Sequence, residues 1–431
     1  MGKQQVHKRL DTVAVKDVLV RYDEKRLDFV AALALLGVKK SRFFKILAEY
    51  RANPSGFTAA YERVTPKRLS STTEETIKKE LLKEKKLITN PRLPITEYNY
   101  AAVHDTLRDE HQTTVSTKTI IRRAKEYGCY LEPRVKKIHD REVITNYVGE
   151  LVQHDSSHHQ WSPFVETKWY GITSLDDYSR RILFGDLFEV ENRWNHILAT
   201  ESVILTYGVP RAYYADQHSI FRFVKKRDTL LQKNVLETDD IDPQWKQTLK
   251  ECGTDVIYAL SPQAKGKIER PYRWLQARVV RQCARDQVTK FTDVRQIFRN
   301  EIDRYNNRNV HSTTKEIPAL RFERAVKNGQ TMFRPFRVPE PFQLSKDIFC
   351  LRATRVVDAY RKISICNLKI TVPKVPPRYP VELRIVPDAE KHTVEIRFWF
   401  SGQLVSTQIF KEQDLPIVQF WMSRSPLFSV L

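Results

Sequence analysis

Asp155, Asp216 and Glu269 are the residues whose type and setting best suit chemistry. Asp155 closes the run Glu150-Leu-Val-Gln-His-Asp155, and Asp216 closes Arg211-Ala-Tyr-Tyr-Ala-Asp216. Both runs are short and apolar-leaning, which predicts strands ending in an acid. Glu269 follows Ser261-Pro-Gln-Ala-Lys-Gly-Lys-Ile268, a loop leading into a long predicted helix. Carboxylates are hard oxygen ligands suited to magnesium. Two strand-end acids and a helix glutamate can converge on two such ions roughly 4 Å apart, where phosphodiester bonds are cut and rejoined. In that assignment Asp155 bridges two Mg2+ ions, Asp216 holds one and Glu269 the other, with Mn2+ able to substitute.

Other acids and histidines nearby suit different roles. Asp176 and Asp177, in Asp176-Asp-Tyr-Ser179 between two predicted strands, read as turn residues. His154 and His218 adjoin the two aspartates and could contact a phosphate or only pack there. His158-His159 lacks the spaced third ligand that a zinc site needs. Around Glu269 the charge is positive: Lys265 and Lys267 precede it, and Arg270, Arg273, Arg278 and Arg281 ride on its helix. Such crowding of like charge makes sense if a phosphate backbone lies along the helix.

The elements that must position these residues come from a 431-residue chain, long enough for about three or four domains. Its 73 Lys+Arg against 52 Asp+Glu leave a net charge of +21, which points to a polyanion partner. Membrane insertion is not expected. The longest uncharged apolar stretch, Phe29 to Val38, is far shorter than a spanning helix, and the N-terminus lacks the apolar core of a signal peptide. Five cysteines without a Cys-x-x-Cys pair suit a reducing cytosol.

Along the chain, residues 1–66 read as a helix-turn-helix unit. Asp28 to Leu36 is a strong helix former closed by Gly37, and a second helix capped by Ser41 follows through Tyr50, with Phe44, Leu47 and Tyr50 on one stripe. Lys39, Lys40, Arg42 and Lys45 are its expected DNA contacts. Residues 67–132 form a second helical unit, with a capping box at Thr72-Thr-Glu-Glu75 and a helix from Glu97 to Glu110. A further helix is capped by Ser116 and ended by Gly128. It would turn Ile120 and Ala124 inward and keep Lys118, Arg122, Arg123 and Lys125 outside. A basic linker, 133–146, leads to a mixed α/β core over 147–330 with an insertion at about 222–244. Short alternating strands over 345–413 suggest a small β-barrel, with Arg384 and Arg397 on the polar side of their strands. Residues 414–431 form an apolar tail.

At its motifs the chain resembles DDE transposases of the retroviral-integrase superfamily, and more narrowly bacterial insertion-sequence transposases of the ISNCY type. The matching stretches are Glu150 to Ser157, Leu175 to Leu183, Asp216-Gln-His-Ser-Ile-Phe221 and Ser261-Pro-Gln-Ala-Lys-Gly-Lys-Ile-Glu269-Arg. The resemblance implies an RNase H-like catalytic core in which Asp155, Asp216 and Glu269 take the metal-binding roles. It implies binding to double-stranded DNA, both the element's terminal inverted repeats and target DNA, by a homo-oligomer of at least two copies. A cytoplasmic, nucleoid-associated bacterial protein is the corresponding expectation. Two features depart from the pattern. Between Asp216 and Glu269 lie 52 residues, an excess the insertion accounts for, and Gln217 stands where a basic residue is expected. Two rival readings share these residues: a DNA-binding regulator or domesticated protein that keeps the fold without the chemistry, and a nuclease without strand transfer.

Overall fold

Local capping signals start and stop the N-terminal helices. In a computed structural model, residues 6, 10–59, 69–132, 144–215, 244–258, 266–365 and 368–415 are described, with backbone alone at 266–269. The chain divides into two compact units, Met1–Glu75 and Thr76–Leu431. In the first, α1 (Thr12–Asp23) and α2 (Phe29–Leu36) open where Asp11 and Asp28 accept from the amides of Ala14 and Ala31. Gly37, at φ +56°, ends α2 in the left-handed region that glycine tolerates best. Helix α3 (Lys40–Ala52) begins one residue before Ser41, so the cap position falls to Lys39, whose side chain makes no capping bond. Its buried face is Phe43, Ile46 and Leu47, packed on Val15, Leu19 and Leu36. Phe44, expected on that stripe, is exposed and stacks on Phe29.

The division falls within α4 (Ser71–Thr89), which opens at Ser70, whose Oγ accepts from the Thr73 amide. Helix α5 (Tyr100–Asp109) is capped by Asn99, shorter than the Glu97–Glu110 helix expected. Helix α6 (Thr117–Glu126) is capped by Ser116, buries Ile120 and Ala124, and gives way at Gly128, φ +63°.

The central sheet is built from β1 (Leu151–His159), β2 (Trp169–Asp176), β3 (Ile182–Phe188), β4 (Ala212–Ala215) and β5 (Asp255–Tyr258), in the order β3-β2-β1-β4-β5. The first three are antiparallel, whereas β4 runs parallel to β1 and β5 parallel to β4. Helices α7 (Arg193–Tyr207), α8 (Gln244–Glu251), α9 (Gly266–Asp286), α10 (Phe291–Asn307) and α11 (Pro318–Lys327) complete the mixed α/β arrangement. Tyr272, Leu275, Val279 and Cys283 of α9 are buried against Phe298 and Ile302 of α10 and Trp161.

The C-terminal strands differ from the barrel expected of them. Strands β6 (Leu351–Val356), β9 (Pro380–Asp388), β10 (Thr393–Phe400) and β11 (Gln403–Lys411) form an open four-stranded antiparallel sheet, β11-β10-β9-β6. Strands β7 (Lys362–Ile365) and β8 (Leu368–Thr371) form a separate hairpin. Alternation fixes which face is apolar but not whether a sheet closes. The apolar face of this sheet (Leu351, Leu383, Ile385, Ile396, Phe398) belongs to one cluster with Val203 and Ile204 of α7, Tyr213 of β4 and Trp245 of α8. Arg384 and Arg397, expected on the polar side, are buried at 2% and 5% exposure. Arg384 and Arg352 converge on Glu251, and Arg397 pairs with Asp347, so ionic partners offset the cost of burying charge.

Candidate active site

Asp155 lies in the middle of β1 rather than at its end. The ladder with β2 runs on from Asp155↔Thr173 to His159↔Trp169, although Asp-Ser-Ser-His-His carries no apolar alternation. The parallel ladder with β4 is shorter and reaches Gln153↔Tyr214, after which β4 ends at Ala215. Asp155 is half-buried beside the place where β1 loses that neighbour. Asp216, the next residue after β4, lies outside the described residues, as do His218 and Lys265.

Helix α9 carries Glu269 in its first turn, and the side chains of Glu269 and Lys267 lie outside the described set. Three residues further along, Tyr272 reaches β1. Its hydroxyl bonds the carbonyl of Asp155 at 2.6 Å and that of Gly171 at 2.9 Å. Gly171 leaves room for the neighbouring rings, since a Cβ there would come within 2.9 Å of Trp161 and 3.1 Å of Phe298. Burial first, and then the nearby charge of Asp155, raise the Tyr272 phenol well above its ordinary value. The phenol therefore stays protonated, able to tie α9 to β1. Gln276, one turn on, donates to Ser157 at 3.0 Å.

The aspartates of the β2–β3 connection are built into the turn. Asp176 accepts from the amides of Gly149 and Ser179, each at 2.8 Å, and from the Ser179 hydroxyl. Complete burial still raises its carboxyl to about 6. Asp177 accepts from Gln153 at 2.6 Å and from Arg180 at 3.1 Å. His154 is buried between Ser174 and His196, and packs rather than reaching toward a phosphate. His158 stacks on Tyr170.

The basic residues fall into two groups. Lys39, Lys40, Arg42 and Lys45 on α3 are exposed, as are Lys118 and Arg122 on α6 and Arg270 and Arg273 on α9. Arg123 is half-buried and pairs with Glu126 at 3.1 Å, and Arg270 bonds Thr313 at 3.0 Å. Arg278 and Arg281, expected along the same phosphate-facing row, are instead buried. Arg278 pairs with Asp105 of α5 at 2.7 Å, and Arg281 pairs with Glu84 of α4 at 2.8 Å. These four positions fall along one helical stripe, so the period does not separate them; α4 and α5 supply acidic partners over the C-terminal half of α9.

The donor chemistry around Asp155 suits a hard divalent cation. A carboxylate offers oxygen donors alone, the donor type such a cation prefers. Among the described residues no group of three or more His, Cys, Asp or Glu could hold a metal. Asp155 is the member of the three whose side chain is described.

No family model matches the chain. It is 25% identical over 258 residues to the provisionally named transposase y4bF of Sinorhizobium fredii, covering 60% of this chain and 51% of that protein. It is also 24% identical over 237 residues to the transposase for insertion sequence IS1202 of Streptococcus pneumoniae, covering 52% and 49%. This chain resembles bacterial transposases. Its match to these transposases spans about half of their length.

Among solved structures, the HTLV-2 integrase catalytic core in complex with magnesium aligns at TM-score 0.30 and 12% identity, covering 42% of this chain and 98% of that one. A simian T-cell lymphotropic virus intasome in complex with the PP2A regulatory subunit B56 gamma aligns at 0.34 and 11%, covering 73% and 96%. Scores this low carry no argument about the transposase-like chain.

Sequence reading did not single out the residues that support Asp155. By sequence pattern Tyr272 is one member of an apolar stripe with Leu275, Val279 and Cys283. Glu191 and His196, five residues apart, meet Ser156 only through the fold, so no local signal marks them.

Proposed function

We propose that the protein is a DNA transposase whose chemistry is carried by Asp155, Asp216 and Glu269. The observation that carries this reading is the Tyr272 hydroxyl bonded to the Asp155 carbonyl. It ties the α9 segment that bears Glu269 to the strand that bears Asp155. The parallel β1–β4 ladder supports it further, since β4 ends at the residue before Asp216. The sheet order β3-β2-β1-β4-β5 is compatible with an RNase H-like core.

Divalent cations, when bound, would activate the attacking oxygen and stabilise the leaving oxygen of a phosphodiester. The chain's own contribution is to fix the carboxylates. Tyr272 and Gln276 set the spacing of α9 from β1, and the β2 ladder holds Asp155 in register. Water as nucleophile would free a 3′ hydroxyl at the element end, and that hydroxyl would then attack target DNA. The exposed lysines and arginines of α3 and α6 suit a helix-turn-helix grip on the terminal repeats, and Arg270 and Arg273 suit the backbone nearer the site. Two ends must be brought together, which favours at least a dimer on DNA. No described helix is long and apolar enough to cross a membrane.

The test incubates the protein with Mg2+, labelled duplexes carrying candidate element ends and a supercoiled plasmid, beside Glu269→Gln. Metal-dependent joining that the variant loses while still binding DNA is the expected result. Nicks without joined products in the wild type would favour a nuclease. Binding with neither, across all candidate ends, would overturn the enzymatic reading.

A further inference from the structure

Past Gln153, β1 keeps its β2 neighbour, while the described ladder with β4 has ended. Residues 154–157 are held there by side chains from both faces of the sheet, because successive side chains alternate. Tyr272 and Gln276 of α9 grip the Asp155 carbonyl and Ser157. On the other face, Ser156 donates to Glu191 Oε1, just ahead of α7. The same oxygen lies 3.1 Å from His196 Nε2.

The direction of this second grip follows from donor and acceptor rules. With Glu191 as acceptor, His196 Nε2 carries a proton, and in the neutral ring its Nδ1 accepts. His154 Nε2, 2.9 Å away, then donates to it, which leaves His154 Nδ1 to accept from the Ser174 hydroxyl at 2.8 Å. The chain Ser174, His154, His196, Glu191 thus has one consistent polarity. His154 is fixed further by stacking on Trp245, with ring centroids 5.3 Å apart at 14°. His154 and His196 are buried, so this chain is shielded from competing water.

We infer that Glu191 is a positioning residue for Asp155: through its bond to Ser156, oriented by His196, it holds β1 in the backbone geometry that aims the Asp155 carboxylate at a divalent cation. This rests on the metal reading of Asp155 given above. The role is one of hydrogen-bond acceptance, so a neutral acceptor of the same shape serves it.

The experiment titrates Mn2+ into the full chain, reading free ion by electron paramagnetic resonance, with thermal melts as a control on folding. Glu191→Ala and Ser156→Ala should each weaken Mn2+ binding on the order of 10-fold, as loss of an outer partner does. Glu191→Gln, which still accepts from Ser156 and His196, should bind nearly as the wild type. Ser156→Ala removes one hydroxyl and keeps the test informative should Glu191→Ala not fold. Wild-type affinity in both alanine variants, with Asp155→Asn impaired, would overturn the positioning role alone. A Glu191→Gln loss equal to that of Glu191→Ala would overturn it in favour of a direct role for the charge. Wild-type affinity in Asp155→Asn would overturn the metal reading, and the positioning role with it.

Discussion

Replacing Glu251 by Gln tests what joins the C-terminal sheet to the α/β core. Glu251, at the end of α8, accepts from Arg352 of β6 at 3.2 and 2.7 Å and from Arg384 of β9 at 2.9 and 3.0 Å. Arg352 and Arg384 are 5% and 2% exposed. The substitution keeps the shape and removes the charge, leaving two buried guanidinium groups less compensated. Breaking a buried pair costs about 3–5 kcal/mol. The lower end applies here. Arg352 keeps Thr248 and the carbonyls of Cys350 and Ile348, and Arg384 keeps Glu382. A cost of about 3 kcal/mol, at roughly 2 °C per kcal/mol for a large unit, lowers the melting temperature by about 6 °C.

The pH dependence of the same variant follows from the sign of the shift. Burial alone would raise the Glu251 carboxyl, but bonding and charge from Arg384 and Arg352 hold it below its ordinary value of 4.5. A depressed folded-state value contributes stability above 4.5 that is lost as pH falls through the lower value. The gap between wild type and Glu251→Gln should therefore be full at pH 7 and narrow on acidification below 4.5. Calorimetric melts at both pH values measure it. A gap under about 1 kcal/mol at pH 7 would refute the assignment of Glu251 as the charge that compensates both arginines.

Tyr272→Phe should cost about 1–2 kcal/mol in denaturant unfolding, the loss of one buried hydrogen bond, and slow DNA joining by more than it weakens DNA binding. Equal joining rates would show that the α9–β1 tie does not matter to the site. His311 is held to about 4, by burial first and then by the neighbouring charges of Arg180, Arg270 and Arg321. Its folded-state value lies below the unfolded one near 6.5, so it stays neutral at pH 7 and stability declines as pH falls from about 6.5 towards 4. An NMR titration of the ring with a midpoint near 6.5 would contradict this. Arg122→Glu on the exposed face of α6 should leave the melt unchanged and weaken duplex binding, with the slope of log affinity against log salt reduced by about 1. An unchanged slope would remove α6 from the DNA-binding surface.

What the sequence revealed is what neighbouring residues decide. Ser116 caps its helix because the capped amide is three residues away, and Gly37 ends α2 through its own backbone freedom. The β2–β3 turn was readable for the same reason, since Asp176 and Ser179 close it within four residues. Charges were misread when their partners are remote. Arg281 finds Glu84 across 197 positions, and Arg384 finds Glu251 across 133. A local window cannot distinguish such an arginine from one waiting for phosphate.

The Asp155 site combines both cases. That Asp155 belongs to a strand was legible from its setting, but the extent of β1 was not. Asp155 to His159 is polar throughout, and the ladder with β2 makes it a strand. Side chains support this segment as well. Here that support comes from Tyr272 and Gln276 on one face and Glu191 with His196 on the other. These residues precede or follow Asp155 by no fixed interval, and what unites them is that each bonds the segment 155–157 directly or through one neighbour. The strand order that sets β1 between β2 and β4 therefore also decides which side chains can reach this segment, so the supporting residues become visible only once topology is known.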